Sequence, residues 1–260
     1  MNILVFVKRV PDTESRIRPD SDKRAVVEEG LTFIISPNDE YAVEEALRLR
    51  EAKGGTVTVV AVGPDESVAI LKKCLAMGAD EAVLVKDPLR ESYDGLRTAR
   101  IVAKLIQARY PAFDLLLFGK ASVGADNALV PSMVAEMLGL PQANAVIKLA
   151  IEDAAGTAVR EIEGAAERLA FSLPAVVSAQ KGLNEPRYET LKGIMAAKKK
   201  VIPVVTLEEL GLGGEAAAPQ VEVVRIEMPA SRQAGRIIPG TPEEAAKALA
   251  ALLRNEAKVI

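Results

Sequence analysis

Histidine is missing from all 260 residues, which removes the commonest general base and the commonest zinc ligand. Hydrolytic triads and zinc sites are excluded on that ground, and no metal centre is expected. Cysteine occurs once, so no intramolecular disulfide forms. Cys74 sits in an apolar pattern with Val68, Leu71 and Leu75, which predicts a buried, inert thiol in a reducing compartment. Neither sign of charge is in excess: 33 Lys and Arg face 36 Asp and Glu, a formal net charge of −3. The charges are mixed along the chain and leave no footprint for a polyphosphate backbone, so nucleic acid is not an expected partner. Long apolar runs are lacking too. The opening MNILVFVKRV holds only about five apolar residues together, with its basic residues after them, and reads as a first strand instead of a leader. No stretch reaches the ~20 apolar residues that cross a bilayer. A soluble, cytoplasmic protein is expected.

What is present suits a large core, with 49% hydrophobic and 27% charged residues. Short β-branched runs at residues 3–7, 56–62, 82–85 and 115–118 alternate with helical patterns at 41–50, 67–77 and 96–108. That alternation predicts an α/β fold with a mainly parallel sheet, and the near-continuous apolar character of TVTVVAV and DLLLFG predicts helices on both of its faces. Ser36, Pro37, Asn38 and Asp39 read as a helix start, with a hydroxyl cap, proline in the first turn and acid near the positive dipole end. In the helix that follows, Ala42, Val43, Ala46, Leu47 and Leu49 form the core stripe, with Glu44, Glu45, Arg48 and Arg50 on the wet face.

Past Pro141 the pattern becomes strand-like at residues 145–151, 158–162 and 168–173, then buried-looking at 175–178. The simplest account is an antiparallel excursion that returns to the main sheet. GLGGEAAAP, residues 211–219, reads as a linker. These features divide the chain into an α/β domain at 1–210 and a linker with a C-terminal arm at 211–260. The arm is expected to hold a strand at 221–226 and a final helix opened by a capping box, Thr241-Pro242-Glu243-Glu244. The helix's apolar face, Ala245, Ala248, Leu249, Leu252 and Leu253, docks either on a partner or on its own domain.

The segment LLLFGKASVGADN, residues 115–127, runs from strand through small-residue loop to helix. Small residues let backbone N–H groups approach an anion, the helix dipole favours negative charge, and Lys120 adds a cation. The spacing of a P-loop is lacking, and no G-x-G-x-x-G follows the first strand, so an ordinary connection is the competing reading. Loops after Val7, Val62 and Phe118 all open at the carboxyl ends of strands, where open parallel sheets bind ligands. Glu161 and Glu163, either side of an apolar residue, share one face of a strand, a wet face or a local field. Lys198, Lys199 and Lys200 read as a solvated helix C-terminus or as a contact for an acidic partner.

The stretch VREIEGAAERLAFSLPAVVS, residues 159–178, resembles the signature of electron-transferring flavoprotein beta subunits. LNEPRYETLKGIMAAKKK, residues 183–200, resembles the segment that follows it there. VFVKRVPD (5–12), SPNDEYAVEEALRL (36–49), AMGAD (76–80) and the FGK loop fall in family order, so the likeness covers nearly the whole chain. It implies a Rossmann-like α/β fold of the adenine-nucleotide alpha-hydrolase kind. It further implies an alpha subunit that holds most of an FAD, and an AMP bound structurally in the beta subunit. By position, the nucleotide pocket would use Phe6 and Lys8, then Ser36, Pro37, Asn38 and Asp39, then Val62. The loop Gly119, Lys120, Ala121, Ser122, Val123, Gly124, Ala125, Asp126 and Asn127 would complete it. Leu191 corresponds to the leucine that docks partner dehydrogenases, and Glu161 to a glutamate near the flavin. A quinone reductase is the implied electron acceptor, and the redox chemistry is the flavin's, which makes the chain a carrier subunit and not an enzyme. Relatives carry a more acidic segment where this loop continues through Gly124 to Val130. An electron-bifurcating form with a second FAD in this subunit is the alternative within the family. Outside it stand an ATP-using enzyme, which would need a serine- and glycine-rich loop where this chain has Lys8-Arg9-Val10-Pro11, and a homodimeric nucleotide sensor.

Overall fold

In the computed structural model, which describes residues 1–87, 89, 94–214, 218–231 and 234–260, the first strand, β1 (Asn2–Phe6), divides its side chains between two cores. Successive strand residues point to opposite faces. Ile3 and Val5 pack with α1 (Pro37–Lys53) and α2 (Val68–Met77), while Leu4 and Phe6 pack with α3 (Gly95–Arg109) and α4 (Val130–Leu138). A strand apolar on both faces thus sits between two helical layers, as its unbroken hydrophobic run predicts.

The sheet is completed by β4 (Thr56–Gly63), β5 (Glu81–Lys86), β6 (Leu115–Gly119), β7 (Gln142–Glu152), β8 (Ala155–Ile162), β9 (Ala165–Ser172), β10 (Ala175–Ala179) and β11 (Val204–Thr206), in spatial order β11-β5-β4-β1-β6-β10-β7-β8-β9. Every pairing from β11 to β7 is parallel, whereas β7–β8 and β8–β9 are antiparallel. The excursion and return expected past Pro141 are therefore present. The chain leaves by β7, turns twice, and re-enters as β10 between β6 and β7. β2 (Arg9–Pro11) and β3 (Phe33–Ile35) pair antiparallel in a small separate sheet, where the Arg9 guanidinium lies over the Phe33 ring at 3.2 Å. Cys74 is fully buried, and burial pushes its thiol up, out of reactive range.

Three local expectations are corrected. Residues 221–226 form no strand; Ile226 N donates to Lys23 O at 2.6 Å without starting a ladder, and Val221 and Val224 stay exposed. Glu163 lies in the turn between β8 and β9, so only Glu161 belongs to the strand. Glu44 and Glu45 are buried, not on a wet face, because the segment before α5 (Leu191–Lys199) covers that side of α1.

Two compact units result, Met1–Ile226 and Glu227–Ile260. In the first, Leu207, Leu210 and Leu212 are buried in the α3/α4 core, which carries ordered chain into the start of the glycine-rich stretch. The second holds α6 (Pro242–Asn255), opened by a reciprocal capping box: Thr241 N donates to Glu244 Oε2 at 2.8 Å and Glu244 N to Thr241 Oγ1 at 3.4 Å. α6 has no buried residue. Among the described residues, no helix is long and apolar enough to cross a membrane.

Candidate functional site

Strand order reverses at β1. From there the chain first builds outward through β4 and β5, then crosses by α3 to lay β6 on β1's other side. Crevices open at such switch points, beyond the carboxyl ends of the two diverging strands. Here those ends are Phe6 and Phe118, cross-strand neighbours in register, with rings stacked at 4.5 Å and 11° between planes.

Above the rings, Asp39 ties the two strand ends together. Its Oδ2 accepts from Lys8 N at 2.8 Å and its Oδ1 from Gly119 N at 3.1 Å. Burial pushes this carboxyl up to about 7, against the downward pull of the two backbone N–H groups and the Lys8 charge. Asp39 thus serves the site rather than the dipole of its own helix. Gly119 is required by the same geometry, since a Cβ there would lie 2.2 Å from Asp39 Oδ1. Ser36 holds the N-cap position through its backbone only, its carbonyl accepting from Asp39 N at 2.8 Å. The expected hydroxyl cap is not made, and Ser36 Oγ is buried with no hydrogen-bond partner.

The loop after β6 is fixed at its base by Lys120 N donating to Ala179 O at 2.8 Å and by Asn38 Nδ2 donating to Ala121 O at 2.9 Å. It then curls through left-handed conformations at Gly124 (φ 92°), Asp126 (φ 47°) and Ala128 (φ 51°). Asp126 N donates to Ser122 O at 3.0 Å. The N–H groups of Ala121, Ser122, Val123, Gly124 and Ala125 have no acceptor among the described residues. A curled run of unpaired N–H groups beside a lysine is an anion-receiving arrangement.

These parts enclose a cleft with about 1120 Å³ of empty space, its open mouth included. Of the expected residues, Phe6, Lys8, Asp39, Val62, Gly119, Lys120, Ala121, Ser122, Ala125 and Asn127 line it. Asn38 holds the loop from behind. Ser36, Pro37, Val123, Gly124 and Asp126 lie outside the lining. The lining also takes residues that sequence reasoning did not assign to the site, among them Ser67, Asp87, Thr98 and Pro131. Asp87 follows β5 directly, so extending the strand-end argument to that strand finds it; Thr98 and Pro131 carry no local signal. The Asp87 carboxylate is buried against the Arg97 guanidinium in a two-bond pair that closes one wall.

The remaining two expected residues are elsewhere. Leu191 opens α5 with 85% of its surface exposed. Glu161 stands exposed near the tip of the β8–β9 hairpin, paired in register with Ala166.

Fold and cleft together define a doubly wound α/β protein with an open crevice at its topological switch point. Residues 24–210 match the family model described as "Electron transfer flavoprotein domain". The chain is similar to proteins named electron transfer flavoprotein subunit beta from Bacillus subtilis, 40% identical with 100% of both chains covered, and from Thermoanaerobacterium thermosaccharolyticum, 36% identical with 98% of each covered. A mouse protein of the same name is 39% identical over 95% of this chain and 96% of its own. The chain belongs to the electron transfer flavoprotein family, on the beta-subunit side.

Proposed function

We propose that this chain is the beta subunit of a cytoplasmic heterodimeric electron carrier. It binds AMP in the switch-point cleft as a structural ligand, and it shapes the surroundings of an FAD held mainly by an alpha subunit. The observation that carries the nucleotide assignment is that Ala121, Ser122 and Ala125, whose N–H groups have no acceptor among the described residues, line the cleft beside Lys120. Phosphate belongs there, with Lys8 lining the same cleft, and the base belongs against the apolar lining residues Val62 and Phe118.

In this reading the chain supplies framework and docking, and bound flavin supplies the redox chemistry. Leu191 docks flavin-dependent dehydrogenases, Glu161 sets the field near the flavin, and the arm at 211–260 grips the alpha subunit. A membrane-linked quinone reductase takes the electrons onward. Co-expression with the neighbouring gene tests the reading: a yellow 1:1 complex with one FAD is expected. A colourless homodimer that hydrolyses ATP, or one that only senses nucleotide, would sink it.

A further inference from the structure

The helix bearing Leu191 is fastened to the body by charges that α1 has no reason to bury for its own sake. Glu44 and Glu45 fall at helix positions where a solvated carboxylate is normal, yet Glu44 is only 3% exposed. What covers them is the irregular segment before α5. Asn184 Nδ2 donates to Tyr41 O at 3.0 Å and to Glu45 Oε2 at 2.9 Å, and Arg48 Nη2 reaches Glu185 O at 3.4 Å.

Arg187 makes the strongest attachment. Its backbone N and Nε donate to Glu44 Oε2 at 3.1 and 2.8 Å, and its Nη2 to Glu44 Oε1 at 3.2 Å. The same guanidinium reaches about two turns further along α1, with Nη1 to Glu51 Oε1 at 2.5 Å and Nη2 to Glu51 Oε2 at 3.1 Å. Arg48 Nε closes the network on Glu44 Oε1 at 2.7 Å. Burial pushes Glu44 up, but the bonds from Arg187 and Arg48 prevail and hold it below the usual carboxylate range.

Ion pairs add little net stability whether exposed or buried, and Arg187 keeps about a third and Glu51 about half of its side chain in solvent. What a planar fork held on two carboxylates adds is direction. Four residues further on the chain presents Leu191, with Tyr188 exposed at 94% beside it and Met195 one turn later. α5 is seated from beneath as well: a Cβ on Gly193 would lie 2.1 Å from Ala76 O of α2, so glycine permits the close approach. At the far end Lys200 Nζ donates to Asp80 O and, at 3.5 Å, to Ala79 O.

We infer that Arg187 is a positioning residue for docking: it touches no partner itself and fixes the segment before α5 so that Leu191 is presented in one orientation. The inference rests on the proposed docking role of Leu191. It replaces an ordering cost at encounter with an anchor already in place.

The test uses the purified heterodimer as electron acceptor for a flavin-dependent dehydrogenase, with Arg187→Gln, Arg187→Lys, Leu191→Ala and the Arg187→Gln/Leu191→Ala double variant. Arg187→Gln is expected to raise the KM for the heterodimer about three- to tenfold with kcat and flavin content unchanged, as lost interface order does. Arg187→Lys, which keeps the charge without the fork, should fall between. The double variant should be no worse than Leu191→Ala alone, because both act through one contact. Amide exchange at residues 184–192 should quicken in Arg187→Gln. An unchanged KM in Arg187→Gln beside a raised one in Leu191→Ala overturns the inference and leaves the docking reading standing. Multiplying effects in the double variant, or loss of flavin, also overturn it. A silent Leu191→Ala sinks the docking reading itself, and this inference with it.

Discussion

Asp39 and Gly119, eighty residues apart, are fitted to one another: the carboxylate oxygen that accepts from Gly119 N at 3.1 Å occupies the space a side chain at 119 would need. The contact joins the start of α1 to the end of β6, across the crevice where the strand order reverses. Gly119→Ala should therefore destabilise the chain by about 1–3 kcal/mol, the usual range for overpacking, because the other obstructing atoms, Asn38 C and Asp39 N, are backbone at 2.7 Å. Urea unfolding checks it. The same variant should lose bound nucleotide if the proposed site is right, since the loop proposed to receive the phosphate starts at this residue.

The Asp39 carboxyl, at about 7 in the folded chain against 3.8 for the ordinary group, makes a pH prediction of definite sign. Between those values the folded state holds a proton that the unfolded state has released, so stability falls as pH rises. The loss is complete above about pH 7, and the contribution is fully present below about pH 4. Asp39→Asn cannot titrate and lacks this slope. The urea midpoint of the native chain should thus decline relative to that of the Asn variant from pH 5 to 8. A difference between them that does not vary with pH would show that Asp39 is ionised throughout.

In the proposed nucleotide site Lys120 adds a cation to a set of backbone N–H groups, so its removal should weaken and not abolish binding. Lys120→Ala is expected to cost about 1 kcal/mol, roughly fivefold in affinity for AMP, and to flatten the salt dependence of binding. Titration calorimetry on nucleotide-free heterodimer, at two ionic strengths, measures both.

The capping box of α6 offers a local test in the C-terminal unit. Thr241→Ala removes the acceptor of Glu244 N and should cost about 1 kcal/mol of helix stability, read as faster amide exchange in the first turn of α6.

Much of this architecture was legible because it follows from apolar period. β1, β4, β5 and β6 are strands buried on both faces, and their unbroken hydrophobic runs can be satisfied only between two helical layers. The loop after Phe118 was visible for a similar reason: small residues between a strand and a helix leave backbone N–H groups available. Pairwise chemistry was not legible. Asp39 reads as a first-turn acid and Ser36 as a hydroxyl cap, and only the tertiary fold shows the carboxylate turned toward Lys8 and Gly119 and the hydroxyl left unpartnered. Glu44 and Glu45 read as a wet face because nothing in their own helix announces Arg187 and Asn184, some 140 residues later. The short strands β2, β3 and β11 are set by their pairing partners, whereas residues 221–226 have a strand's composition and form no ladder.

The most direct test of the central claim is a count of cofactors released by acid from the purified heterodimer, with FAD and AMP quantified per complex. One FAD and one AMP are predicted, and Gly119→Ala should lower the AMP alone. Two FAD and no AMP would place a second flavin in the switch-point cleft and contradict the structural-nucleotide account; no flavin at all would contradict the electron-carrier role.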